Sequence, residues 1–135
     1  MSYKKESRQI SFYDSPEDFQ GIKLDPQNRW IKLASKMPWD LIDEIYAENF
    51  PSNLGREAYS SRLAFGALYL KKILKLTDSE LILAIIENPY LQFFLGCSGY
   101  SSKPLFSKRS LNEFKKRFEK KDIQIIYKAI DEKAK

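Results

Sequence analysis

An all-α fold, built as a single compact domain of about five to seven helices around a helix-turn-helix-like central pair, is predicted by three features of this chain. Apolar residues recur at helical spacing in one segment after another. Aromatic residues are plentiful (two Trp, eight Tyr, nine Phe) while glycine is limited to five, which suits a well-filled core with few tight turns. No stretch alternates apolar and polar residues in the manner of a half-buried strand, and no internal repeat is visible.

The central pair lies between Ser60 and Gly96. Leu63, Ala67, Leu70 and Leu74 form an apolar stripe, and Phe65, Leu68, Tyr69 and Ile73 widen it until little of the circumference is polar, so this helix belongs in the interior. It stops at Lys75-Leu76. Thr77-Asp78-Ser79-Glu80 then has capping-box form, so the next helix starts at once with Leu81, Ile82, Ala84, Ile85 and Ile86 as its apolar side. Asn88-Pro89 marks a kink or a new start, and the apolar turns from Tyr90 to Leu95 end at Gly96.

On either side of that pair the chain divides into an arm, residues 1–25, expected to be partly ordered and to dock by its aromatics, and a helical domain, residues 26–135. Within the domain, Asp25-Pro26 or Asn28 caps a helix from Arg29 to Lys36 that Met37-Pro38 ends, since the residue before proline is pushed out of helical conformation. A second helix from Trp39 to Asn49 sets Leu41, Ile42, Ile45 and Tyr46 against an acidic face of Asp40, Asp43, Glu44 and Glu48. Phe50 to Arg56 reads as a breaker-rich loop. Cys97 to Phe106, rich in Gly, Ser, Lys and Pro, reads as a loop able to move. Ser107 or Ser110 caps a helix expected to run to Lys121 with the narrow stripe Leu111, Phe114, Phe118, and a last helix from Asp122 to Lys133 buries Ile123, Ile126, Tyr127 and Ile130.

Composition excludes several chemistries. With no histidine, imidazole acid–base catalysis and the common zinc sites are out, and the single cysteine, Cys97, has no intramolecular disulfide partner. No run of about 18 apolar residues is present and the N-terminus lacks a hydrophobic signal core, so no membrane partner and a cytoplasmic location are expected. Asp40, Asp43 and Glu44 share one helix, but adjacent residues splay by about 100°, and nothing gathers acids from different elements as two-metal phosphoryl transfer requires. No catalytic residue, no metal ligand and no cofactor are expected.

The formal charge of +5 is unevenly spread: residues 1–57 carry net −2 and residues 58–135 net +7. Eight bases crowd between Lys103 and Lys121, facing only Glu113 and Glu119. Because the apolar stripe there is narrow, most of the circumference is positive and faces water or a polyanion. Lys108, Lys115, Lys116, Lys120 and Lys121 suit phosphate neutralisation; Arg109 and Arg117 suit bidentate contact; Ser107, Ser110 and Asn112 suit phosphate or a base edge. Arg56 and Arg62, with Lys71, Lys72 and Lys75, form a second candidate set around the central helix. Plain solvated surface is the alternative for both sets. Trp30, Trp39, Tyr46 and Phe50 are expected in the core, as are Tyr90, Phe93 and Phe94, whose other use would be stacking on bases.

These segments resemble a known family. P-Q-N-R-W-I-K-L-A-S-K-M-P-W-D-L-I-D-E-I-Y-A-E-N-F-P from Pro26, Gly55-Arg56, R-L-A-F-G-A-L-Y-L-K from Arg62, L-T-D-S-E from Leu76, E-N-P-Y-L-Q-F-F-L-G from Glu87 and F-S-K-R-S-L-N-E-F-K-K-R-F from Phe106 look like the N-terminal domain of bacterial insertion-sequence transposases of the DDE type. The resemblance covers about residues 26–121. It implies an all-helical module ahead of an RNase H-like catalytic domain, with double-stranded DNA at the element's inverted repeats as partner, or else a role in assembly through a homodimer or the catalytic domain. No position matches a catalytic acid of that second domain. Since no strands precede Lys135, the chain is expected to be a fragment of a longer transposase or the product of a truncated gene.

Overall fold

The structure, a computed structural model, describes residues 15–49 and 59–134, and within these every regular element is helical. The predicted loop from Phe50 to Arg56 and most of the N-terminal arm lie outside the described residues. After a 3-10 turn at Pro16–Asp18 come α1 (Arg29–Lys36), α2 (Trp39–Asn49), α3 (Ser61–Leu74), α4 (Asp78–Glu87), α5 (Pro89–Phe94), α6 (Lys108–Lys116) and α7 (Lys120–Ala134).

Local chemistry sets most of these ends. Asn28 Oδ1 accepts from Trp30 N–H at 2.8 Å and starts α1; Ser60 Oγ accepts from Leu63 N–H at 3.1 Å and starts α3. Both halves of the capping box at α4 form: Glu80 N–H donates to Thr77 Oγ1 at 3.2 Å, and Thr77 N–H donates to Glu80 Oε1 at 2.8 Å. Those bonds hold the exposed Glu80 carboxyl below the ordinary range for its type. The turn between α3 and α4 is short because Lys75 adopts a left-handed conformation (φ 55°) whose N–H closes back on the carbonyls of Lys71 and Lys72.

At the centre of the molecule, α3 packs on α2, α4 and α6, while α5 lies against α1 and α4, and α7 against α1 and α2. The core is aromatic. Phe94, fully buried, meets Trp30 and Trp39 edge-on with centroids at 6.1 and 5.5 Å and lies stacked near Tyr69 at 6.2 Å. Phe65 joins Phe118 (5.4 Å) and Tyr127 (6.3 Å), tying α3 to the far end of the chain. Tyr69 and Tyr127 both keep their protons above the ordinary tyrosine range, chiefly through burial; Asp131 adds to the effect on Tyr69, and Tyr69 to that on Tyr127.

In the described part of the arm Phe19 and Leu24 are buried on either side of exposed residues 20–23, and Gln20 exchanges backbone bonds with Ser98 and Tyr100, both 2.9 Å. Three details differ from expectation. The loop after α5 is pinned by the buried Gln92, whose Nε2 donates to Ile85 O and Ser101 O, both 2.9 Å, and whose Oε1 accepts from Ser101 N–H at 2.8 Å. Asp43 leaves the acidic face of α2 for the interior, where Ser61 Oγ donates to it at 2.8 Å. The helix expected to reach Lys121 stops at Lys116, so Lys120 and Lys121 open α7 instead. Asn49 Nδ2 spans that break by donating to Arg117 O and Asp122 Oδ2, both 2.8 Å, while Glu119 N–H donates to Asp122 Oδ2 at 3.0 Å where the new helix starts.

Candidate nucleic-acid interface

Ser107 fixes the start of α6 by accepting from Ser110 N–H at 3.1 Å, so Ser107, of the two serines proposed, is the cap. Ser110 Oγ lies 3.2 Å from Ser107 Oγ and 3.4 Å from Tyr59 Oη, which engages its hydroxyl within the protein. Leu111 and Phe114 are the two buried residues of α6. Phe114 is held edge-on between Tyr59 and Phe106, at 5.2 and 5.5 Å. This narrow anchor seats the helix on α3 and α4 and leaves Lys108, Arg109, Asn112, Lys115 and Lys116 exposed, with Lys120 and Lys121 exposed at the start of α7.

Neighbouring acids neutralise only part of that charge. Lys115 Nζ lies 3.9 Å from Asp78 Oδ1, an oxygen that also pairs with Lys71 at 3.4 Å and joins α3, α4 and α6. That oxygen is buried and has no hydrogen bond of good geometry, so the two ion pairs are its compensation. Lys116 pairs with Glu113 and Lys121 with Glu119, each at 3.7 Å between well-exposed side chains, an arrangement worth about 0–1 kcal/mol and readily exchanged. Lys108, Arg109 and Lys120 have no ion pair among the described residues.

The remaining candidates separate clearly. Arg117 is half-buried and engaged, its carbonyl accepting from Asn49. Arg56 lies outside the described residues. Arg62 is buried: Nε donates to Phe94 O at 2.9 Å, a terminal nitrogen donates to Phe93 O at 3.1 Å, and the guanidinium sits 4.6 Å over the Trp39 ring. It caps the last carbonyls of α5 where the chain turns at Gly96 (φ 91°), and a Cβ on Gly96 would come within 3.0 Å of Arg62 Cδ. The sequence signal for this burial was Gly66, one turn after Arg62 on the same face, where a Cβ would meet Leu95 at 2.7 Å. Cys97 lies beside this arginine, yet burial outweighs the cation and pushes its thiol up to about 11.

Among the described residues no group of three or more Asp, Glu or Cys side chains is placed to hold a metal ion, and no helix is long and apolar enough to cross a membrane. Fold and surface together define a small helical domain that, among the described residues, displays cations along α6 and at the start of α7 and gathers no acids around a cleft. Residues 19–117 match the transposase domain family DUF772, and the chain belongs to that family. It is also similar to a protein of Rhizobium meliloti described as "Uncharacterized protein ORF8 in nfe locus", with 31% identity over 111 residues, or 82% of this chain and 53% of the relative. The chain thus spans about half the length of that curated relative. No solved structure matches.

Proposed function

We propose that this chain is the DNA-binding module of a transposase, recognising the terminal inverted repeats of its element and supplying no strand-cleavage chemistry itself. The supporting observation is the outward, largely uncompensated charge of Lys108 and Arg109 on α6 and of Lys120 at the start of α7, extended by weakly paired Lys116 and Lys121, with the apolar side of α6 alone committed to the core. Family membership supplies the setting, since transposition brings protein and duplex DNA together. Such a role places the protein in the cytoplasm with the chromosome.

The test is titration of a labelled duplex carrying an element end at two salt concentrations. Affinity should fall steeply with salt, each phosphate contact adding about 0.9 to the log–log slope. Replacing Lys108, Lys116 and Lys121 together by Ala should lower that slope by roughly one per lost contact; an unchanged slope and affinity would overturn the reading. Plasmid incubated with magnesium should stay supercoiled.

A second reading, a module that pairs with another copy or with a catalytic domain, is favoured by Leu83 of α4 and Ile125 of α7, 54% and 51% exposed. Mass rising with concentration in ultracentrifugation, with no DNA affinity, would decide for it.

A further inference from the structure

We infer that α6, and not the second helix of the central pair, is the element that enters the major groove, with Arg109 and Asn112 reading base edges; this rests on the DNA-binding reading above. In a helix-turn-helix arrangement the second helix presents its N-terminal turn to the bases. Here that helix is α4, which contains no Lys or Arg and carries Asp78, Glu80 and Glu87, two of them in its first turn. Its capping box holds Glu80 in place, and a phosphate-lined groove repels such a terminus.

α6 has the opposite character. At about 100° per residue, the side facing away from Leu111 and Phe114 carries Arg109, Asn112, Glu113 and Lys116, with Lys108 and Lys115 along one edge and the engaged Ser110 and Arg117 along the other. The middle of the outward face therefore bears the Arg109 guanidinium and Lys116, flanked by the Asn112 carboxamide on one side and by Glu113, paired with Lys116, on the other; guanidinium and carboxamide are the two groups that pair bidentately with guanine and adenine. The Asn112 side chain makes no hydrogen bond among the described residues and is exposed in a helix interior, where asparagine is a poor former, so it is free to meet a base edge. A helix about 10–12 Å across with its side chains is of the size that a major groove about 12 Å wide admits.

Selection of duplexes from a randomised library by the intact chain, followed by titration of the winners, tests this. The wild type should enrich a short motif. Asn112→Ala and Arg109→Ala should each flatten preference at one position, reducing discrimination there about ten- to hundred-fold, and Asn112→Ala should leave the salt slope unchanged. Lys116→Ala should weaken all duplexes alike and lower the slope by about one. Salt-dependent binding without a motif, or a motif that both variants retain, overturns the inference while leaving the module's role intact. Absence of binding at either salt concentration overturns the role itself.

Discussion

α5 and α6 begin in the same way, each with a side-chain oxygen (Asn88, Ser107) accepting from a first-turn N–H, and then treat their polar groups in opposite ways. In and around α5, Leu91, Gln92, Phe93 and Phe94 are all buried, and polar groups turn inward to serve the chain's own backbone. Arg62 takes the end carbonyls, Gln92 holds the following loop, and Tyr90 Oη accepts from Asp25 N–H at 2.8 Å. Around α6 two apolar side chains are committed and the cations point away. The E-N-P-Y-L-Q-F-F-L-G block, distinctive as it is, builds the frame; the less distinctive lysine-rich helix faces outward. A charged or amide residue therefore reveals its role by whether a backbone acceptor lies within its reach.

The sharpest way to break this contrast is Arg62→Met, which leaves two buried carbonyls without their charged donor. It should cost about 3–5 kcal/mol in chemical denaturation, and a loss under about 1 kcal/mol would show that Arg62 is not structural. Gln92→Leu should cost about 1–3 kcal/mol and speed hydrogen exchange at Ser101, which relies on Gln92 Oε1. A pH effect follows from Tyr127, whose neutral form the fold favours. Its contribution is intact below about pH 10, the unfolded value, and is lost as pH rises through the higher folded value. Tyr127→Phe should therefore make the alkaline fall in Tm shallower, whereas a steeper fall would contradict the assignment. Smallest of all, neutralising Lys108, Lys116 and Lys121 should move stability by no more than about 0.5 kcal/mol; a large loss would make α6 frame and dissolve the contrast.

Much of the frame was legible because its signals are local. The spans Arg29–Lys36 and Trp39–Asn49, the capping box at Thr77 and the start at Asn88-Pro89 all rest on residues within one turn of each other. What escaped depends on distant partners. The Leu111, Phe114, Phe118 spacing continues smoothly past Arg117, where Asn49, 68 residues earlier, binds the Arg117 carbonyl and joins the local Glu119–Asp122 contact at the break. Arg62 reads as surface charge until the ends of α5 and the Trp39 ring are placed beside it. Gln92 looks like one polar residue in an oily run, and its loop-pinning role appears only when Ser101 is brought alongside. On α6 the identities of the exposed cations were readable, whereas their division between two helices was not.

The reluctance of Cys97 to ionise has a practical corollary. With burial pushing its pKa up to about 11, this half-buried lone thiol carries little thiolate and reacts slowly with maleimides and disulfide reagents under neutral conditions. A cysteine introduced on the solvent side of α6 would then be the sole fast-reacting handle on the chain, ready to carry a fluorophore or a cleavage reagent without first removing the native sulfur.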